Sequence, residues 1–591
     1  MKSQKSLNRY FKVSPTVLIE NFRQFWIISM IGFLVYFIAG IFPLIVNYSN
    51  IENIAQNLEQ CLENTQLMFI LTNALLPIFM SIAIFKYLHS EASSTIIHSM
   101  PYSRIRLFNS GVLSGWLMLL APILLTGILF LALSGAHSSP EALKLQEIDP
   151  YGNYLQASSI FLWMLETVIA MTFVYAISAF AAVIAGTMVM HGFLCFFLNS
   201  LMFWLTLIVY AYISTFLHGY MGMINYMKCS PITYSVAGYG GLSKEDISAQ
   251  LCFVIVSILL IIVSGFLYTK IKLEREENAT VFKAAGDIFC VLFSFIGMTG
   301  FGFILRSYQN GNHSMLLFYA GCIIGALLCF VIGRIIIEKT TKIFNLSNIK
   351  RLGVFTVLVL IFFSFTIFDV TGFDKRIPAT SDIESITIAP ISTDDAYRGD
   401  LTLSTGKNIS LVHNLHQVII DQELYESDYE VLNHTVTLTY NLKNGNQLKR
   451  SYSYWGKPDD PAYDYTASIF ESKEYKKLTS VYNTKISDVV EASYENEQVS
   501  QKISLEKMPA LFAAIDKDYQ SRAYADSDID YNTKSINSVY ISVKDGAKNM
   551  YITIRPSDKH TIAFFKDLGY DKYVNSTSNY DDIKEKNNGN I

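Results

Sequence analysis

His413 and His416 form the one close histidine pair in the chain, three positions apart. A structural or catalytic metal needs further His, Cys or carboxylate ligands at short spacing, and no such set accompanies this pair, so no metal site is expected. Gly406-Lys407 is the nearest approach to a phosphate-binding loop, but the upstream glycine and the following hydroxyl residue are missing. Without them no loop of that type turns its amides toward a nucleotide. No nucleophile elbow and no zinc-protease motif occurs. Asp526, Asp528 and Asp530 alternate with other residues in YADSDIDY, and this reads as a solvated loop rather than a cation site. Neither catalytic residue nor cofactor is therefore expected, and any ATP-driven activity requires an ATPase on another polypeptide.

The polar residues that remain lie inside long apolar runs, where ionisable groups are costly. Glu166, in FLWMLETVIAM, is the clearest, and Asn73 and Asn199 are uncharged companions. Two readings stand for them: they line a substrate path, or they hydrogen-bond neighbouring helices. Pro77 and Pro122 are expected to kink two of these runs. Between two others lies a short polar interruption, Lys86–Ser110 (KYLHSEASSTIIHSMPYSRIRLFNS), weakly basic and dotted with apolar residues.

The elements that must position these groups follow from hydropathy. Runs of roughly 18 or more apolar residues are membrane-span candidates, and all of them fall in the first 370 of 591 positions. Nine are expected, near 25–46, 67–88, 109–133, 159–184, 190–214, 250–269, 286–305, 315–337 and 352–369. A helix over Pro15–Gln24, with Val17, Leu18 and Phe22 against Glu20, Asn21 and Arg23, is expected to lie on the membrane surface before the first span. Bases cluster in alternate loops: Lys86, Arg104 and Arg106, then Lys270, Lys272, Arg275 and Lys283, then Arg334, Lys339, Lys342, Lys350 and Arg351. Under the positive-inside rule these loops and the N-terminus face the cytoplasm of a plasma-membrane protein, and nine spans put the C-terminal part outside.

That C-terminal part is different in kind. After Phe373 the chain carries about 33 acids and about 25 bases, against about 17 and about 21 before it. A weakly acidic domain gives no reason to expect nucleic acid as a ligand. All seven cysteines precede it; Cys61 and Cys229 both fall in predicted outer loops and are open to pairing, which spacing alone does not decide. Ile383–Ala389 and Thr435–Tyr440 alternate as strands. Asn444-Gly445 and Asp545-Gly546 mark two hairpins, the first returning along Lys449–Trp455 and the second joining Ser538–Val543 to Met550–Ile554. Leu505–Asp518 and Thr561–Leu568 have helical spacing. The expected fold class is a helical polytopic membrane protein with an α+β extracellular C-terminal domain. Its parts are 1–24 as cytoplasmic N-terminus and elbow helix, 25–269 as a six-span core, 270–372 as three further spans, 373–575 as an α+β domain of two lobes, and 576–591 as a disordered tail.

The six-span layout, the run HSMPYSRIRLFNSGVLSG, the stretch Lys272–Asp287 (KLEREENATVFKAAGD) and the tail segments HNLHQVII, LTYNLKNGNQLKRSYSYW and LFAAIDKD together resemble the type-2 export permeases of ABC transporters, in the long form of Gram-positive bacteria. The resemblance implies an elbow helix at Pro15–Gln24, a cytoplasmic coupling helix within Ser90–Ile105, and a helical outer loop at Phe216–Ala249 that contains Pro231. It further implies an ABC ATPase subunit in two copies, a second permease subunit, identical or homologous, and membrane lipid as partners. A short helix with apolar anchors and flanking charge suits an ATPase groove. The coupling residues are then Glu91, Ile96, Ile97, His98, Met100, Pro101, Tyr102, Arg104 and Arg106. The expected function is export of an antimicrobial peptide, drug or lipid-like substrate. The alternative is a sensor whose extracellular domain detects a ligand and signals with its ATPase; a membrane enzyme is the third and weakest reading.

Overall fold

The computed structural model describes residues 12–46, 57–58, 60–63, 66–136, 156–222, 229–230, 233, 244–271, 279–308, 315–368, 370, 372–389, 391, 399–423, 434–454, 460–495, 500–524, 537–544, 549–555 and 557–570. The chain is mostly helical, with sheet confined to its C-terminal part. Among the described residues nine helices are long and apolar enough to cross a membrane, the arrangement of a multi-pass membrane protein. Two compact units are formed. One is the helical body. The other comprises the chain from Ser364 onward together with Ile213–Gly222 and Gly311–His313.

The body begins with α1 (Pro15–Tyr36), which Pro15 starts from an extended Ser14. It continues through a π-helical turn, Phe37–Ile41, into Phe42–Val46. No break separates the expected surface helix at 15–24 from the first span. The reason lies in a distant part of the chain: Ser14 N–H donates to Ser110 Oγ at 2.8 Å, Asn21 to Ser114 Oγ at 2.8 Å, and Ser29 to the Met118 carbonyl at 2.7 Å. Its polar residues thus bond a neighbouring helix. That neighbour is α4 (Arg104–Ala136), reached through α2 (Leu67–Phe85) and the short α3 (Glu91–Ser99). Then follow α5 (Ala157–Ile184), α6 (Met188–Phe216), α7 (Lys244–Lys270), α8 (Lys283–Ser307), α9 (Leu316–Glu338) and α10 (Leu346–Ile367). Their centre is aromatic: Tyr36, Phe69, Phe130 and Trp163 are buried, with Tyr36 edge-on to Phe69 at 4.8 Å.

Backbone pairing fixes which loops share an end of the body. Gly186 N–H donates to the Ala279 carbonyl at 3.0 Å and Val281 N–H to the Ile184 carbonyl at 2.9 Å. Arg104 Nη1 donates to the Ile271 carbonyl at 2.7 Å. The loops after α2, α5 and α7 therefore lie together, as an alternating up-and-down path demands. α8 and α9 approach most closely: a Cβ on Gly321 or Gly325 would stand 2.6 Å from the Phe301 or Gly297 carbonyl oxygen. Small residues are what permit such backbone approach between apolar helices. At one end of this pair buried Arg334 bonds Asp287 at 2.8 Å, Glu338 at 2.7 Å and Asn348 at 2.8 Å. Cys61 and Cys229 do not form a disulfide.

The C-terminal unit holds two lobes with one topology. The first is β1 (Ile383–Ile388), β2 (Leu401–Leu403), α11 (Gly406–Asp421), β3 (His434–Leu442), β4 (Gln447–Tyr454), α12 (Pro461–Phe470) and α13 (Lys473–Leu478). The second is β5 (Val489–Glu495), β6 (Ser500–Lys502), α14 (Met508–Ser521), β7 (Asn537–Val543), β8 (Met550–Ile554) and α15 (Lys559–Asp567). The antiparallel strand orders, β2-β1-β3-β4 and β6-β5-β7-β8, are the same. The details repeat too. Each sheet has a register shift near the start of its first strand, at Ile383/Ser385 and Val489/Glu491. Each hairpin ends on a lysine, Lys443 or Lys544, whose N–H donates to Asp382 or Asp488 and whose Nζ donates to the Ser381 or Ser487 carbonyl. Each central helix buries the same i, i+3, i+4, i+7 stripe: Val412, Leu415, His416 and Ile419, or Met508, Leu511, Phe512 and Ile515. The expected strands, hairpins and helices of this part are in place where described. The 216–249 loop with Pro231 (largely), the Asp526–Asp530 run, the Asp545-Gly546 turn and the 576–591 tail lie outside the described residues.

Candidate functional site

The stretch between α2 and α4 is built by its caps. Ser90 is extended (φ −135°) and leaves its carbonyl to accept Ser94 N–H at 2.8 Å, which opens α3 with Glu91 in the first turn, where a carboxylate suits the helix dipole. Met100 is extended (ψ 151°), the conformation a following proline imposes, and Pro101 ends the helix. The outcome is a nine-residue helix with two unlike faces. Ile96 is 63% exposed and Met100 42%, and Glu91, Thr95, Ser99 and Pro101 are exposed beside them. Ser94 is fully buried, and Ile97, His98 and Tyr102 are half-buried.

The inner face is tied to two long helices by a directed chain of hydrogen bonds. His98 Nδ1 lies 2.8 Å from the Ser94 carbonyl, which can only accept, so this nitrogen carries the proton. His98 Nε2 then accepts from Tyr268 OH of α7 at 3.1 Å, and Tyr268 accepts from Tyr87 OH at 3.1 Å. The His98 and Tyr268 rings stack at 5.8 Å. His98 is thus the residue that joins α3 to the body rather than a surface contact. Arg104 and Arg106 are similarly committed: Arg104 to the Ile271 carbonyl, and Arg106 to the Val13 carbonyl at 3.3 Å, its guanidinium 5.2 Å over the Tyr102 ring. Hydrogen bonds from Ser14 and Thr16 hold the Tyr102 phenol below its usual range. Of the nine residues expected to meet a partner, Glu91, Ile96, Met100 and Pro101 face outward; Ile97, His98, Tyr102, Arg104 and Arg106 pack partly or wholly against the body.

The three polar residues at membrane depth are all buried, each in bonds between helices. Glu166 accepts from Gln250 Nε2 of α7 at 2.8 Å, Asn73 accepts from Tyr36 OH of α1 at 2.5 Å, and Asn199 donates to Ser178 Oγ of α5 at 3.3 Å and to the Cys195 carbonyl at 2.8 Å. The structure does not gather them on one path. It gathers instead a histidine pair that the sequence did not single out. His191 Nε2 lies 3.1 Å from the Ser178 carbonyl and so donates; its Nδ1 accepts from His89 Nε2 at 3.2 Å. The only signal in the sequence was that both histidines stand at the ends of apolar runs, about a hundred positions apart.

In the first lobe, buried His416 sits between Tyr440 OH, 2.8 Å from Nδ1, and Tyr452 OH, 2.9 Å from Nε2. Burial, with the Arg450 charge and His413 adding to it, lowers its pKa to about 3, so it is neutral. Burial raises the Tyr452 phenol to about 12 although the Arg450 charge opposes this. Arg450 is itself buried; it donates to the Phe373 carbonyl at 3.0 Å and lies 3.8 Å over the Phe373 ring. The segment after α6 closes over this set. Gly219 (φ +76°) accepts Ser451 N–H at 3.0 Å and packs so tightly that a Cβ would stand within 2.4 Å of the Tyr452 ring. His218 N–H and Nδ1 face the Asp374 carboxylate at 2.9 and 3.2 Å. Among the described residues no group of three His, Cys, Asp or Glu is placed to hold a metal.

No protein-family model matches this chain, and neither a curated protein nor a solved structure does.

Proposed function

We propose that this chain is the permease subunit of an ATP-driven exporter, and that Glu91–Ser99 is the helix on which a separate ATPase subunit docks. The observation that carries the reading is the division of that helix into two faces. Ile96 and Met100 stand exposed on a polar surface, while the Ser94–His98–Tyr268–Tyr87 chain ties the opposite face to α7 and to the turn Lys86–His89 that continues α2. A protrusion that must transmit force needs both properties: apolar anchors outward for a groove, and a stiff attachment inward so that displacement moves the long helices. The chain has no phosphate-binding loop, which assigns the ATPase to another polypeptide, expected in two copies beside a second permease subunit. In this reading the basic loops face the cytoplasm, the C-terminal lobes are extracellular, and the cargo is a peptide, drug or lipid-like molecule.

The test is a double substitution, Ile96→Asp with Met100→Asp, in full-length chain co-expressed with an ABC ATPase subunit that co-purifies with the unaltered chain. Placing two carboxylates in a desolvated groove is expected to cost several kcal/mol, enough to abolish co-purification and permease-stimulated hydrolysis while the chain stays folded. Intact coupling would remove the docking assignment. Export itself is read as ATP-dependent substrate movement in vesicles that contain both subunits.

A further inference from the structure

Helices α4, α5 and α7 do not close on one another along their whole length. They leave an open groove of about 1170 Å³. Its walls are one face of α4 (Ile105, Val112, Leu113), Tyr175 of α5 and one face of α7 (Ile262, Phe266). The polar groups along it are already engaged: Trp116 Nε1 donates to Thr172 Oγ1 at 2.8 Å and Tyr175 OH to the Gly111 carbonyl at 3.3 Å. Asn109 and Thr269 also line it, and the rest of the interior offers a ligand apolar contact.

Length and charge narrow the occupant. From Ile105 to Trp116, and from Ile261 to Lys270, the helical rise of 1.5 Å per residue makes the groove about 15 Å long. That is half of a roughly 30 Å hydrocarbon layer, the depth of one leaflet. One end is cationic: Lys270 closes α7 and stands exposed there, its ammonium 5.5 Å over the Phe266 ring, and Arg106 lies at the same end, bonded to Val13. No acidic residue is among those that line the groove. We infer that this groove is a binding site for an anionic phospholipid of the bilayer, with an acyl chain along α4 and α7 up to Trp116 and the phosphate at Lys270. The inference rests on the chain spanning a membrane and is independent of whether it transports anything.

Trp116 makes the site readable. The full-length protein is placed in nanodiscs that contain dibrominated phosphatidylglycerol or, at equal mole fraction, dibrominated phosphatidylcholine. The emission of Trp116 is isolated as the difference between the unaltered protein and its Trp116→Phe variant. Bromine on the chain quenches an indole it touches. Phosphatidylglycerol is expected to quench about fivefold more effectively than phosphatidylcholine, the preference that one lysine near an anionic headgroup supplies. Lys270→Gln, an exposed substitution with no buried partner to lose, is expected to bring the two lipids to parity. Equal quenching by both lipids in the unaltered protein would reduce the groove to ordinary lipid contact and overturn the proposal. So would an undiminished preference in Lys270→Gln. Absence of quenching by either lipid would mean that protein, such as a second copy of the chain, covers the groove, and would overturn it as well.

Discussion

Beneath the sheet of the first lobe lie His416, Tyr440, Arg450 and Tyr452; the same four positions in the second lobe hold Phe512, Ile541, Ile552 and Ile554. The equivalence follows from the strand registers, Ile386 opposite Tyr440 and Ala492 opposite Ile541, then Leu438 opposite Arg450 and Val539 opposite Ile552, and from the helix stripes. All eight side chains are buried. One fold thus accepts an apolar core or a hydrogen-bonded polar one at the same place. Apolar packing in the second lobe demonstrates that the topology does not need the polar set. Burying an arginine and a histidine is costly unless every hydrogen bond is met. In the first lobe the two tyrosines meet those of His416, and the Lys449 and Phe373 carbonyls take the terminal nitrogens of Arg450 while its Nε is left without a hydrogen-bond partner among the described residues, at the point where Gly219 and Asp374 join the lobe. The second lobe is tied instead to the first, where Lys476 Nζ donates to the Gln520 and Arg522 carbonyls at 2.8 Å. The polar core marks the lobe that has a segment from elsewhere in the chain to hold.

Breaking that set is expected to affect the two lobes unequally. Arg450→Ala has the largest expected effect, about 3 kcal/mol, because it empties a fully buried site, breaks the bond to the Phe373 carbonyl and removes the stack on the Phe373 ring. Hydrogen exchange of the full-length protein should report it as faster exchange over 434–454, with 537–554 unchanged; equal loss in both would mean that the lobes do not open independently.

His416→Phe, the second lobe's residue, is expected to cost about 2 kcal/mol, since it takes the imidazole from the Tyr440 hydroxyl and one of the partners from the Tyr452 hydroxyl. Adding Tyr440→Ile and Tyr452→Ile should recover part of that loss by removing the stranded hydroxyls, with Arg450 left as the one polar member of the set. Failure of the triple variant to recover would show that the frames of the two lobes are less alike than their topology. The same histidine makes the first lobe pH-sensitive. It is neutral in the fold, with a pKa of about 3, and ionises near 6.5 when exposed, so between these values the open form binds the extra proton. Stability of the first lobe should therefore fall as pH drops below about 6.5, by up to about 1.4 kcal/mol per unit. Position 512, a phenylalanine, contributes nothing of the kind. Exchange measured at pH 7 and pH 5 separates the two lobes, and His416→Phe should flatten the difference.

Glu474→Ala is expected to have the smallest effect, about 1 kcal/mol. Burial alone would raise the Glu474 pKa, but hydrogen bonds from Thr405, Ser404 and Asn408 bring it below the usual value, and they cap the start of α11. The second lobe opens α14 after Ser504 with no side-chain cap, so faster exchange confined to the first turns of α11 is the expected signature.

Much of this architecture was legible in the residues. Nine candidate spans follow from the length of apolar runs, and the hairpin turning at Asn444-Gly445 and the helix near Met508–Ser521 from periods of 2 and 3.6 and from turn residues, all of which are local properties. The short helix between α2 and α4 was expected within Ser90–Ile105 from the resemblance alone; the structure confines it to Glu91–Ser99, ahead of Pro101. Which of its residues face outward was not legible. Ile97 and His98 stand beside Ile96 in the sequence, and only packing against Tyr268 and Tyr87 turns them inward. Continuity of α1 with the expected surface helix was equally hidden, because it depends on serines of α4 some ninety positions away.

The repeat is the clearest case of this division. Alternation and turn signals by themselves determined that the C-terminal part forms strands, hairpins and helices in two lobes. Tertiary structure alone decided that the two lobes share one frame, since equivalence is a matter of register and of which helix face meets the sheet. It also decided that His416 and Arg450 are buried. A sequence read residue by residue assigns histidine and arginine to the surface, and only the tyrosines and the segment around Gly219, brought in from distant positions, offset the cost of burying them.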